Sequence, residues 1–289
     1  MKAIDLHVHS NKSDGSNTPT ELVHMALSKN LAAFALTDHD SVNGIDEAIL
    51  CADRLRAEGI PHVPEVIPGI ELSTEYQGKD IHLVGLYIAH HSASFRNYLQ
   101  EFVDSRIKRN RKMCANLAAA GIDISYEKLV NAFPDSVLTR AHYAVYLVNH
   151  GYCSSKDQAF SQYLGDHTKY FVPREKITPE MGVELILQAG GIPILAHPVL
   201  YRMSDTRLEE LIARLKSAGL MGLEAIYATY TNAEERHMRK LADKYDLSIS
   251  GGSDYHGDAK PGLEMGTGYG KLYVPEDLLT SLRSRQMNI

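Results

Sequence analysis

Only three cysteines, Cys51, Cys114 and Cys153, occur in 289 residues, widely spaced and odd in number. That argues against a disulfide framework and fits buried or half-buried thiols in a reducing cytoplasm. No apolar run approaches the roughly 18 residues of a membrane span, so no transmembrane helix and no membrane partner are expected. Residues Met1 to His7 alternate like a strand and lack an apolar signal core, so no signal peptide is expected. Basic residues do not dominate: Lys and Arg number 30 against 36 Asp and Glu, giving a net charge of -6. The global footprint of a long-duplex nucleic-acid binder is therefore missing. Internal repeats, low-complexity tracts and a Gly-x-Ser-x-Gly nucleophile motif are missing as well.

What is present is an ordinary globular balance, 44% apolar and 23% charged, enough for a sizeable core. The length suits one large domain, or one domain carrying an insertion. Short apolar runs alternate with helical patterns at both ends of the chain, the mark of βα units and a parallel sheet or barrel. Strands are expected at Ala3–Leu6, Ala33–Leu36, Val66–Ile70, Ile81–Ile88, Ile192–Ala196, Leu223–Ile226 and Leu247–Ser250. Thr18-Pro19-Thr20-Glu21 opens the first helix as a capping box. Between residues 94 and 178 the apolar period stays near 3.6, which predicts a helical insertion longer than any ordinary loop. Residues 1–93 and 179–289 then belong to the parallel sheet or barrel, and 94–178 to the helical insertion.

Nine metal-ligand side chains punctuate this pattern. His7 and His9 follow the first strand with i, i+2 spacing, which puts both rings on one face of extended chain. Asp14 follows in the loop, His39 after the second strand, and Glu71 at the end of the third. His197, Asp254 and His256 also follow strands, whereas His82 falls near the start of one. Parallel barrels gather chemistry at the C-terminal ends of their strands, so residues this far apart can converge. Six imidazoles and three carboxylates exceed one tetrahedral zinc and suit two or three cations sharing bridging ligands. Without thiolate, the set favours Mn²⁺, Zn²⁺, Fe²⁺ or Mg²⁺.

His7-Val8-His9-Ser10, Ser13-Asp14-Gly15, Leu36-Thr37-Asp38-His39-Asp40, Pro68-Gly69-Ile70-Glu71, Ala196-His197-Pro198 and Gly252-Ser253-Asp254-Tyr255-His256 together resemble the PHP (polymerase and histidinol phosphatase) family. The resemblance implies an α/β fold, a distorted (βα)7 barrel with a trinuclear site. By that analogy His7, His9, Glu71 and Asp254 hold one metal, Glu71, His82 and His197 a second, and Asp14, His39 and His256 a third. The insertion resembles that of the subgroup acting on nucleoside 3′,5′-bisphosphates and short oligoribonucleotides. The patterns Arg106-Ile107-Lys108-Arg109, Thr139-Arg140-Ala141-His142 and Lys169 before Tyr170 match that subgroup in kind.

The expected function is hydrolysis of a terminal phosphate of a nucleotide or short RNA end. A hydroxide bridging two cations, Mn²⁺ in preference, would be the nucleophile. Asp14, His197 and His256 are the expected catalytic residues, with His197 or His256 protonating the leaving oxygen. Arg106, Arg109, Arg140, His142 and Lys169 are expected to bind substrate, the first two sharing a helix face as a fork for a second phosphate. Against this stand a solvated basic face, a histidinol-phosphatase-like specificity, an amidohydrolase-type C–N hydrolase and a silent metal-binding module. Tyr227 and Tyr230 could stack a base or simply pack. His90-His91 read as loop, and Gly266–Gly270 as a turn.

Overall fold

The computed structural model describes residues 2–134, 136–173 and 177–286. Met1, Asp135, residues 174–176 and residues 287–289, which the expected domain boundaries include, lie outside the described residues. The chain opens with β1 (Ala3–Val8), α1 (Pro19–Ser28), β2 (Ala33–Leu36), α2 (Ile45–Ala57) and β3 (Glu65–Tyr76). The expected capping box starts α1: Glu21 N–H donates to Thr18 Oγ1 at 3.2 Å, and Thr18 N–H to Glu21 Oε2 at 2.8 Å. These first three strands pair in parallel. They are almost wholly buried, as strands covered on both faces must be.

The rhythm then breaks. β3 turns directly into β4 (Lys79–Leu86), its antiparallel partner, through Gln77 and Gly78 at φ +50° and +76°. Two successive positive φ values fit the right-handed twist of a two-residue hairpin. β4 is also antiparallel to β5 (Ile192–Leu195), after which β6 (Gly222–Tyr227) and β7 (Ser248–Gly252) resume parallel pairing. α7 (Pro179–Gln188), α8 (Asp205–Ser217) and α9 (Asn232–Lys244) alternate with these strands. A two-residue β8 (Val274–Pro275), antiparallel to β1, and α10 (Asp277–Gln286) finish the chain.

The sheet runs β7-β6-β5-β4-β3-β2-β1-β8, one short strand more than the seven expected. His9 N–H donates to Tyr255 O at 2.9 Å beside a parallel bridge between Val8 and Tyr255, so the barrel nearly closes. Closure brings backbone against backbone. A Cβ on Gly252 would lie 2.5 Å from His7 Cβ, so only glycine fits.

Between β4 and α7 come α3 (Ala93–Ala119), α4 (Tyr126–Ala132), α5 (Arg140–Asn149) and α6 (Lys156–Ala159), the last running on into a π-turn to Leu164. These helices bury their own apolar cluster, including Met113, Leu117, Leu129, Tyr143 and Leu147. It is separate from the two clusters flanking the barrel sheet. A fully buried Leu or Ile is worth about 1.5–3 kcal/mol, so both units hold themselves together chiefly by burial. No helix among the described residues is long and apolar enough to cross a membrane.

Candidate metal centre

The barrel mouth gathers all nine expected side chains. Its most connected member is Glu71, 1% exposed in β3. Glu71 Oε1 lies 2.9 Å from His82 Nδ1 and 2.9 Å from His197 Nε2. Its Oε2 lies 3.3 Å from His7 Nε2, 3.2 Å from His9 Nε2 and 3.0 Å from His39 Nδ1. The odd position of His82 now has a reason. β4 runs opposite to its neighbours, so its start lies at the same end of the barrel as their ends.

Asp254 Oδ1 stands 3.3 Å from His9 Nε2, 3.6 Å from His7 Nε2 and 3.3 Å from His256 Nδ1. Asp14 Oδ1 stands 3.2 Å from His256 Nε2 and 3.8 Å from His39 Nε2. Ligand atoms of His9, Asp14, His39 and His256 fall within 4.8 Å of one another, as do those of His7, His9 and Glu71, and of His39, Glu71 and His82. His9, His39 and Glu71 thus each belong to two groups.

The donor set fits cations by its unfinished hydrogen bonding. His7 Nε2, His9 Nε2, His39 Nδ1, Glu71 Oε2 and Asp14 Oδ1 are buried, face one another and make no hydrogen bond of proper geometry. Buried polar atoms are normally paired, and atoms converging unpaired on common points are what divalent ions satisfy. The electrostatics agree. Burial pushes Glu71, Asp14 and Asp254 toward protonation, yet neighbouring His and Lys charges hold all three well below the usual carboxylate range. Burial works against charge on His7 and His39, but the carboxylates outweigh it, raising His7 well above normal and His39 to about 9. The cavity attracts positive charge.

A surrounding layer fixes these groups. Glu224 of β6 takes His7 Nδ1 at 3.1 Å on one oxygen and the His197 backbone N–H at 2.7 Å on the other. Asp38 accepts the Ser10 N–H at 2.8 Å and the Ser10 and Ser13 hydroxyls at 2.6 Å each, holding the loop that carries Asp14. Asp5 likewise accepts the Ser253 N–H at 2.8 Å and the Gly266 N–H at 2.7 Å, which pins the turn at Gly266–Gly270. Lys260 pairs with Asp254, and Tyr227 donates to Asp254 Oδ2 at 2.6 Å. Tyr230 donates no base-stacking face either: its hydroxyl meets the Val199 N–H at 3.2 Å, and its ring lies 5.1 Å from that of Tyr227. Both tyrosines pack. Asp40, His197 and Asp254 hold positive φ values of +50°, +27° and +55°, the kind of backbone strain that clusters at functional sites.

Glu224, Asp5, Asp38, Lys260 and Tyr227 as an anchor were missed in the sequence. Glu224 and Asp5 had a signal, since each is a lone carboxylate inside an apolar strand. Lys260 had none.

Above the cluster lies a cleft of about 500 Å³ whose wall includes Asp14, His39 and His82 from the barrel and Arg106, Arg109 and Arg140 from the helical segment. Arg106 and Arg109 are buried, unlike Lys108, Arg111 and Lys112 beside them, so the cluster of five cations is not a uniformly solvated face. Arg106 pairs with buried Asp40 and lies 3.3 Å from Ser73 Oγ. Arg140, at the start of α5, pairs with Asp80 at 3.2 Å and with Asp166. Two expected substrate residues sit elsewhere. His142 spends Nδ1 on the Thr139 N–H at 2.9 Å as part of the α5 cap, and faces a neighbouring cleft. Lys169 is exposed, with its ammonium 5.1 Å from the Tyr170 ring centre.

The PHP domain model matches residues 5–247. The chain belongs to the PHP domain family. One PHP relative, a 5′-3′ exoribonuclease of Haemophilus influenzae, is 39% identical over 88% of this chain and 90% of its own. Another, a 3′,5′-nucleoside bisphosphate phosphatase of Chromobacterium violaceum, is 33% identical over 92% of this chain and 91% of its own. Among solved structures, a Chromobacterium violaceum protein described as an amidohydrolase, with bound sulfate and no metal, superposes with a TM-score of 0.85 at 30% identity, covering 98% of this chain and 96% of that one. A Bifidobacterium adolescentis protein described as a metal-dependent phosphoesterase gives the same TM-score and coverage at 23% identity, a likeness of fold.

Proposed function

We propose that this PHP chain is a metal-dependent phosphoesterase that removes a terminal phosphate from a nucleotide, whether a nucleoside 3′,5′-bisphosphate, a 5′-nucleotide or a short oligoribonucleotide end. One observation carries it: a floor of converging imidazoles and carboxylates beneath a wall holding Arg106, Arg109 and Arg140. An uncharged amide would have no use for that wall. The nucleotide activities of the two curated relatives support the same reading.

In this proposal residues 1–93 and 179–289 are the catalytic barrel, and 94–178 are an insertion that covers its mouth. His7, His9, Glu71 and Asp254 would hold one divalent cation, Glu71, His82 and His197 a second, and Asp14, His39 and His256 a third. Imidazole and carboxylate without thiolate suit Mn²⁺, Zn²⁺, Fe²⁺ or Mg²⁺, and Mn²⁺ is the ion proposed first. Bound there, such ions supply nucleophilic water at neutral pH and offset phosphoryl charge.

The chain's own residues position the reaction. Asp14 and His39, open to the cleft, place the scissile phosphate over the cluster. His256 donates Nδ1–H to Asp254 O at 2.9 Å, leaving Nε2 free to act as a ligand rather than an acid. Burial, then the charges of His9 and Lys260, lower its pKa to about 4, which also argues against proton donation. His197 likewise turns Nε2 to Glu71 Oε1 at 2.9 Å and buries Nδ1 without a partner, so it too is set as a ligand, and the proton for the leaving oxygen comes from water rather than from either histidine. Arg140 and Arg109 receive a second phosphate or the neighbouring backbone phosphate. Phosphate release from a panel of nucleotides, oligoribonucleotides, histidinol phosphate and an aryl phosphate, with added Mn²⁺, tests the reading. Turnover of histidinol phosphate with neglect of nucleotides would replace it.

A further inference from the structure

A second group of metal-ligating side chains lies outside the barrel mouth, where β4 hands over to α3. Ser92 N–H donates to Ala89 O at 2.8 Å, closing a tight turn with His90 and His91 at its two corners. The turn is anchored from both sides. Ala89 N–H donates to Ala189 O at 2.8 Å, and Arg96 Nε to His90 O at 2.7 Å. Both imidazoles reach the same carboxylate oxygen in the first turn of α2: Asp46 Oδ1 is 2.9 Å from His90 Nε2 and 3.0 Å from His91 Nε2. All three donor atoms lie within 4.8 Å of one another.

We propose that Asp46, His90 and His91 form a separate, peripheral site for one borderline transition cation of the Zn²⁺, Co²⁺ or Ni²⁺ class. Two imidazoles and a carboxylate are the ligand types such ions select. With metal–ligand bonds of about 2.1 Å, neighbouring donors stand about 3.0–3.4 Å apart, close to the two histidine–carboxylate spacings already present. His90 is largely buried while His91 and Asp46 are exposed, so the ion completes its shell with water. Adjacent histidines seldom reach one point. Here the turn, not the pair itself, creates the convergence.

The bound ion cross-links α2 to the start of α3, the segment by which the chain leaves the barrel. One group opposes it. Arg96 Nη2 lies 3.4 Å from His91 Nδ1 and 3.9 Å from Asp46 Oδ2, a cation beside the ion and a donor to the nitrogen that must itself carry hydrogen when Nε2 is bound. Affinity is therefore moderate.

The test counts metal, not activity. Protein loaded with Mn²⁺ is dialysed against micromolar Zn²⁺, and total Mn plus Zn per chain is measured for wild type, Asp46→Asn and His91→Ala. The sum is indifferent to exchange at the barrel mouth. Wild type should exceed each variant by one ion, and phosphate release should be unchanged in both. Arg96→Gln should bind the extra ion about two- to fivefold more tightly, as relief of one exposed like charge allows. Equal totals in wild type and both variants would overturn the proposal, leaving an ordinary His–Asp–His ion pair.

Discussion

Glu224 links His7 to the backbone of His197, with one carboxylate oxygen 3.1 Å from His7 Nδ1 and the other 2.7 Å from the His197 N–H. The carboxylate sets which nitrogen of His7 faces the cavity, and it holds the strained His197 peptide in place. Outer partners of this kind typically contribute ten- to a hundredfold in metal affinity. Glu224→Gln should therefore lower cation occupancy by about that factor, read by elemental analysis across a Mn²⁺ titration. Unchanged affinity would show that Glu224 serves only to fill the interior of β6.

Glu71 touches five histidines, three through Oε2 and two through Oε1. Glu71→Ala should remove at least two cations per chain and abolish phosphate release, whereas a variant of a ligand to a single ion should lose one. Chelation of the wild-type protein should likewise abolish turnover, with recovery on adding Mn²⁺. Full activity after exhaustive chelation would sink the metal mechanism.

His39 gives the pH dependence a sign. Its pKa rises from 6.5 to about 9 in the cation-free protein, so it holds a proton at neutral pH. That raised value stabilises the cation-free fold below about 6.5, and the gain fades as pH climbs through about 9. A cation must expel the proton, so affinity should increase with pH up to about 9 and fall on acidification. Calorimetric titration at pH 7 in buffers of different ionisation enthalpy should show proton release on Mn²⁺ binding. Zero release would contradict this account.

Arg106 and Arg140 should separate under mutation. Arg106 is buried against Asp40, and stripping one partner from a buried ion pair costs about 3–5 kcal/mol. Arg106→Ala should thus lower the melting temperature as well as activity. Arg140 is more open, and its carboxylate partners Asp80 and Asp166 are 41% and 61% exposed. Charge-assisted bonds to a phosphate are worth about 1.5–3 kcal/mol, so Arg140→Ala should reduce kcat/KM for a nucleoside 3′,5′-bisphosphate about ten- to a hundredfold. Hydrolysis of an aryl phosphate should barely change. A uniform loss toward every substrate would assign Arg140 to folding.

Much of this was legible in the order of residues. Apolar period alone marked the strands, and Ala33–Leu36 stands as expected, because burial on both faces leaves a direct pattern. The candidate ligands were legible because His and Asp rarely recur at strand ends without chemistry to perform. The sequence could not show that β4 runs backwards, since an antiparallel strand carries the same apolar run as a parallel one. Nor could it separate Arg106 from Lys108: charge is written in the sequence, but burial depends on which helix face meets the barrel.

By itself, then, the sequence determined the element types, the PHP resemblance and the inventory of donors, all properties of local pattern and residue chemistry. Only the tertiary structure decided which donors share a point, that Glu71 meets His82 through a hairpin, that Glu224 orients His7, and that His90 and His91 meet Asp46. Most of those contacts join residues far apart in the chain, up to the 247 positions between His7 and Asp254, and pairing across a nearly closed barrel, not sequence spacing, sets them.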